Sequence, residues 1–279
     1  MRIDAHQHFW AWQPGEYPWM TDDIAILKQD YLPLHLQPSL RDNGMHGCIA
    51  VQARQSLAEN DFLLELKRSH DFIKGVVGWV DLAADDVTGK LGHYGRHLCG
   101  IRHQVHDEPD VEFMLGKDFQ RGISELRHHG LVYDLLIRPE HLANTIELAD
   151  AHPAQSFVVD HLGKPDIAAG QLEPWASQIK ELSKRENVTC KLSGMVTEAD
   201  FSNWDDEEVP ADSFLPFIDV ALSSFGPERL MYGSDWPVCT LAATWDEVYD
   251  IVNDAVLKLS PAEQEAIMGE TAARIYGLK

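Results

Sequence analysis

Eight short runs rich in β-branched and apolar residues recur along the chain, and most are followed by a segment of helical periodicity. This alternation constrains the fold more than any other feature. The runs are RIDAHQHF near residues 2–9, GCIAVQA at 47–53, IKGVVGWV at 73–80 and LCGIRHQV at 98–105, then LVYDLLI at 131–137, SFVVDHL at 156–162, NVTCKLS at 187–193 and RLMYGSD at 229–235. Helical patterns lie between most of them. NDFLLELKRSHDF places Asn60 as a cap, FQRGISELRHHG ends in Gly130, and PEHLANTIELADAH opens on Pro139. EPWASQIKELSKREN and SFLPFIDVALSSFG follow, the latter with Pro216 in its first turn. TWDEVYDIVNDAVLKL and SPAEQEAIMGETAARIYGL close the chain, and Ser-Pro-Ala-Glu at 260–263 has the form of a capping box with proline at the first helical position.

Strand and helix in such alternation predict an α/β protein, a (β/α)8 TIM barrel. At 279 residues the chain matches one barrel domain spanning 1–279. No internal repeat or linker divides it. A doubly wound sheet would carry a G-x-G-x-x-G turn after an early strand, and none is present. Two stretches fit the alternation poorly. Residues 10–45, rich in aromatics and proline, read as a long excursion after the first strand, and 81–97 read as loop.

Forty-five acids against 23 bases give a formal charge of −22. Without a basic stripe, this argues against nucleic-acid binding by phosphate neutralisation and disfavours an anionic membrane surface. No apolar run approaches the ~18–20 residues of a membrane span. The start, MRIDAHQHFW, has an acid and two histidines where a signal peptide would be apolar, so a cytoplasmic protein is expected. Cys48, Cys99, Cys190 and Cys239 show no metal-knuckle spacing and are read as small hydrophobes. The acid-rich stretch from Glu198 to Asp212 is read as a solvated loop.

Barrel enzymes carry their reacting groups at the C-terminal ends of the strands. The predicted strand ends here offer His6 and His8, then Arg102 and His103, then Asp160 and His161, and finally Asp235. His6 and His8 are two apart, so on a strand both face one side and can share a metal ion or a substrate atom. Asp4 has the same parity one step deeper, where it could orient a histidine. His161 ends an apolar strand before Gly-Lys-Pro, and Asp235 stands before Trp236-Pro237 where an unpaired carboxylate is costly. One of Arg102 and His103 should face the interior as a substrate-binding group. Alternation leaves Lys191 open to either side. Trp10, Trp12, Trp19, Trp79 and Trp236 are candidates for an aromatic wall, although core packing is the more frequent role of any single tryptophan.

The segments DAHQHFW (Asp4–Trp10), VVDHLGKP (Val158–Pro165) and YGSDWP (Tyr232–Pro237) resemble the amidohydrolase superfamily, and within it the amidohydrolase 2 branch of lactonases. GIRHQVHDEPD (Gly100–Asp110) and GLVYDLL (Gly130–Leu136) resemble its sugar-lactonase subgroup, which includes hydrolases of L-fuconolactone and L-rhamnonolactone. The similarity extends from Asp4 to Leu278 with the motifs in order. It implies hydrolysis of a sugar lactone, with Asp235 and His161 catalytic and with one divalent ion, zinc, on His6, His8 and Asp235. The chain departs from binuclear members of the superfamily: it shows no clear bridging lysine or glutamate, and no second histidine at a further strand end. Some relatives in the branch work without metal. The resemblance also leaves a decarboxylase or hydratase of a small carboxylic acid as the alternative. A small-molecule substrate and a homo-oligomer are the expected partners.

Overall fold

The computed structural model describes residues 1–201, 204 and 209–279. Its eight strands form one sheet in chain order, every neighbouring pair parallel. They are β1 Ile3–Gln7, β2 Gly47–Val51, β3 Ile73–Gly78, β4 Gly100–His103, β5 Val132–Leu135, β6 Phe157–Val159, β7 Val188–Leu192 and β8 Leu230–Tyr232. All eight coincide with the predicted runs and are shorter than them, because each run continues past its last ladder bond into the loop at the strand's C-terminal end. Almost every strand residue is buried, as expected for a parallel sheet covered on both faces.

The sheet closes through backbone just beyond β1 and β8. Gln7 bridges Trp236, the His8 N–H donates to the Trp236 carbonyl at 2.7 Å, and the Asp235 N–H donates to the His6 carbonyl at 2.8 Å. Ring closure thus runs through the two segments that carry the chemically suggestive residues.

The helices are α1 Pro33–Asp42, α2 Leu57–Ser69, α3 Val87–Tyr94, α4 Lys117–Leu126, α5 Leu142–Ala151, α6 Trp175–Leu182, α7 Leu215–Phe225, α8 Trp245–Val256, α9 Pro261–Glu265 and α10 Thr271–Ile275. Most match the periodic segments. Gly130 ends the α4 segment at φ 67°, a left-handed conformation that suits glycine. Ser260 and Glu263 form the expected capping box at α9.

Two expectations are corrected. Residues 81–97 are not simply loop: α3 lies within them, with Val87, Leu91 and Tyr94 buried on one face. Its two glycines weaken the helical signal in the sequence, and burial of that face overrides them. Asn60 does not cap α2, which begins at Leu57. Its side chain is buried inside the helix and clamps the Trp79 backbone, donating to the carbonyl at 2.7 Å and accepting from the N–H at 2.8 Å.

The excursion at 10–45 holds a 3-10 turn, Asp22–Leu27, and α1. Trp10, Tyr17, Met20 and Leu27 build a separate small core there, over the C-terminal end of the barrel near Ala53. The acid-rich stretch lies partly outside the described residues; its first member, Glu198, pairs with Lys164. All four cysteines are free. No helix among the described residues is long and apolar enough to cross a membrane.

Candidate active site

β1 supplies the first two imidazoles. His6 lies within the strand and His8 one residue past its end, their ring centroids 5.0 Å apart. Asp4 is buried beneath them, but it does not orient a histidine ring as the sequence suggested. It accepts bonds from the Ser234 hydroxyl at 2.6 Å, the Ser234 N–H at 2.9 Å, the Trp245 indole at 2.9 Å and the His6 N–H at 3.2 Å. Asp4 therefore fixes the backbone of β1 against the turn after β8. Gly233 in that turn has no room for a side chain, since a Cβ would come within 2.6 Å of the His6 Cβ.

Asp235 follows this turn at φ 58° and is almost fully buried. Its Oδ1 faces three imidazole nitrogens: His8 Nε2 at 3.3 Å, His6 Nε2 at 3.8 Å and His161 Nε2 at 3.9 Å. His161 comes from the turn Asp160–Gly163 after β6, and its ring centroid lies 4.3 Å from that of His6. The four predicted residues are thus brought together, although three come from opposite ends of the sequence and one from its middle.

Backbone strain concentrates here. Among the described residues, the positive-φ residues other than glycine are His161, Leu162, Lys164 and Asp235. Such conformations cost of order 1–3 kcal/mol each and persist where the surroundings over-determine them, commonly at functional sites. Gly194, after β7, packs under the His161 ring so closely that a Cβ would lie 2.4 Å from its Nδ1.

Hydrogen bonds orient each ring. His8 Nδ1 is 2.8 Å from the Val51 carbonyl, which only accepts, so Nδ1 carries a proton, and Nε2 faces Asp235 at 3.3 Å. The Arg102 guanidinium, which only donates, is 3.2 Å from His6 Nε2. His6 Nδ1 faces Asp160 Oδ1 at 3.4 Å and the Lys191 ammonium at 3.2 Å. His161 Nδ1 meets the Ser193 hydroxyl at 2.9 Å.

Burial holds His6 well below the usual histidine range, and Lys191 and Arg102 add to this against the opposing pull of Asp160. Burial likewise lowers His161. For Asp235, burial acts upward, but His161, His8 and Lys164 outweigh it and keep the carboxyl below its ordinary value. At neutral pH the site therefore contains two neutral imidazoles, His6 and His161, beside an ionised carboxylate.

Of the β4 pair, Arg102 turns inward. It donates to Asp160 Oδ2 at 3.1 Å and to the Gln52 carbonyl. His103 turns outward among the helices, where its Nε2 meets Glu108 at 2.7 Å and its ring stacks on Phe113. Lys191 on β7 also points inward and is fully buried. Its Nζ donates to Asp134 Oδ2 at 2.6 Å and lies 2.9 Å from Asp160 Oδ1. Burial would lower Lys191, but the two carboxylates reverse this and raise it. Burial pushes Asp134 up to about 6 against the pull of Lys191. Asp134 and Tyr276 escaped the sequence reading, since an acid inside β5 and a tyrosine near the C-terminus carry no local signal of a shared contact.

A cavity of about 190 Å3 opens above the cluster, lined by His8, Arg102, His161 and Asp235 together with Trp19, His106 and Lys164. It is smaller than the ~300–1,000 Å3 typical of drug-sized sites. Of the five tryptophans considered as wall candidates, Trp19 faces it. Trp10 packs inside the excursion, and Trp236 packs against Phe9 and Tyr31.

Two groups among the described residues have donor atoms close enough to hold a metal ion: His6, His8 and Asp235, and His6, Asp160 and His161. The first fits an ion by the chemistry of its donors. His8 presents Nε2 while its Nδ1–H is turned to the Val51 carbonyl, as metal-ligating imidazoles usually are, and His6 presents Nε2 with its Nδ1 beside Asp160.

The amidohydrolase family model matches residues 3–278. An L-fucono-1,5-lactonase from Burkholderia multivorans is 42% identical over 288 residues, covering 100% of this chain and 96% of that protein. Another L-fucono-1,5-lactonase, from Burkholderia ambifaria, is 33% identical over 86% of this chain and 82% of that protein. The crystal structure of an amidohydrolase from Burkholderia multivorans with bound zinc superposes with a TM-score of 0.94 at 41% identity, covering both chains completely. With a family model spanning nearly every residue and a full-length relative sharing two residues in five, the chain belongs to the amidohydrolase family.

Proposed function

We propose that this chain, acting as a single barrel domain, hydrolyses a sugar lactone to the open hydroxy acid. The observation that carries the reading is the convergence of the Asp235 carboxylate with three imidazole Nε2 atoms at the floor of the 190 Å3 cavity. The Burkholderia relatives are lactonases of one such ring, which supports an aldonolactone as substrate. A cavity of this size suits a single ring.

Asp235 is the general base. Ionised at neutral pH, it takes a proton from a water molecule as the water oxygen bonds to the ester carbonyl carbon. Negative charge then develops on the carbonyl oxygen. Arg102 and Lys164, both on the cavity wall, offer positive charge to that oxygen. When the bond from the carbonyl carbon to the ring oxygen breaks, the ring oxygen needs a proton. His161, beside Asp235, relays it there. One divalent ion, zinc, on His6, His8 and Asp235 would supply further charge at the carbonyl oxygen. An ion there would take the place of the Arg102 contact with His6, while Arg102 is also held by Asp160 and the Gln52 carbonyl. His103, facing away from the cavity, has no part in this scheme.

A panel of aldonolactones screened with a pH indicator, with and without added zinc, tests the reading. Hydrolysis liberates one proton per turnover at neutral pH. Acidification with one or more aldonolactones is the expected result. No acidification with any of them, together with CO2 release from small aromatic acids, would replace the lactonase reading with the decarboxylase alternative.

A further inference from the structure

Two cations line the cavity, Arg102 and Lys164, and each already faces a carboxylate. Arg102 NH1 is 3.1 Å from Asp160 Oδ2, and the Lys164 ammonium donates to Glu198 Oε1. The lining carboxylates, Asp107 and Asp235, are not matched in return. Among the described residues neither is ion-paired to a lysine or arginine, and each faces histidine: His106 at 3.5 Å from Asp107, and His8 at 3.3 Å from Asp235. Burial holds His106 below the ordinary histidine range, so it does not offset Asp107 at neutral pH. The balance of formal charge at the wall is therefore negative, and Glu198 is one of the groups that makes it so.

Backbone fixes both ends of the Lys164–Glu198 pair. Lys164 sits at φ 54° directly after the turn Asp160–Gly163, its N–H donating to the His161 carbonyl at 2.7 Å. Glu198 ends the turn Val196–Glu198 that follows β7. Its N–H donates to the Met195 carbonyl at 3.1 Å, and its carbonyl accepts from the Ala168 N–H at 3.0 Å. That last bond already joins the loops after β6 and β7, so the side-chain pair is not needed to hold them together. Its consequence falls on the cavity. The two side chains are only 15% and 18% exposed, which limits screening of the pair by salt. An ammonium without Glu198 would attract an anionic substituent on a bound ring. The paired ammonium has no such surplus, yet keeps two protons to donate to a neutral oxygen.

We propose that Glu198 is a positioning residue that sets specificity through Lys164: by cancelling the ammonium at the cavity wall, it reserves the site for neutral lactones and turns away rings that carry a carboxylate. The inference deepens the proposed function and rests on its lactonase reading.

The test compares gluconolactone with glucarolactone of the same ring size, which differ by a carboxylate in place of the terminal hydroxymethyl group. Each is measured as an alternative substrate or as a competitor of the best aldonolactone. Wild type and Glu198→Gln are compared at equal zinc loading, so that an ion in the site cancels. The expected result is that Glu198→Gln accepts glucarolactone better than wild type does. Preference between the two compounds should shift by about 10-fold, the worth of one unit charge at a partly screened wall, and the shift should shrink at high salt. Damage to the loops would weaken both compounds together, so an unchanged preference, or equal losses, overturns the proposal. Should Glu198→Gln fail to fold, Lys164→Gln is the mirror test. With the Glu198 charge left unpaired, preference should move about 10-fold away from glucarolactone, and equal losses again overturn the proposal. Inactivity toward every lactone would overturn the preceding reading, and calorimetric binding of the same two compounds would then decide the role of Glu198.

Discussion

Replacing Asp235 with asparagine isolates its charge and proton affinity from its shape. Asparagine is nearly isosteric and is among the residues that tolerate the left-handed conformation found here, φ 58°. The bonds that fix this position are made by backbone: its N–H to the His6 carbonyl at 2.8 Å, and its carbonyl from the Cys239 N–H at 2.9 Å. Both survive the change. The side-chain contacts that are lost span 3.3–3.9 Å, so no short hydrogen bond is sacrificed. The melting temperature should therefore move by only a few degrees, about 1 kcal/mol or less. The loss of a general base costs typically 10²–10⁴ in rate, or about 3–5 kcal/mol of barrier. The assay is initial rate by pH indicator at saturating lactone, paired with thermal melting by circular dichroism.

The pH profile adds a second reading. A base must be ionised to act, so activity falls as pH drops through the carboxyl's folded value. That value lies below the ordinary 3.8, because His161, His8 and Lys164 outweigh burial. The acid limb of kcat/KM that Asp235 sets should thus lie below pH 3.8, and the residual activity of Asp235→Asn should lack that limb. A folded variant turning over within threefold of wild type would refute the assignment of Asp235 as base.

Two further outcomes follow from the same geometry. Gly194→Ala should lower kcat by at least ~10-fold, since its Cβ would displace the His161 ring, and the left-handed backbone adds roughly 1–2 kcal/mol of strain; unchanged kcat with native melting would show that the position of His161 does not matter. Zinc at ~100 times its dissociation constant should stabilise the fold by about 2.7 kcal/mol, read as a rise in melting temperature that a chelator reverses; no rise would remove the ion from the proposed chemistry, while leaving Asp235 free to act as base.

The contribution of the sequence is clearest in β1 and β8. The H-x-H pair announces itself because strand alternation has period two, and Asp235 because an acid ending an apolar strand is conspicuous. Arg102 and His103 illustrate the opposite case. They are adjacent, and only the register of β4 shows that the guanidinium enters the barrel while the imidazole stacks on Phe113 among the helices. Asp4 was legible as a buried partner but not as a partner of Ser234 and Trp245, which lie more than two hundred residues away.

The amino-acid order alone determined the eight strands, the barrel they form and the four residues at its rim, because each follows from a local period or a strand-end position. Tertiary structure decided which way each side chain turns, which groups face each imidazole, and how Lys191, Asp134 and Tyr276 meet inside the barrel. Those outcomes depend on distances between segments far apart in the chain, and such distances exist only once the sheet has closed.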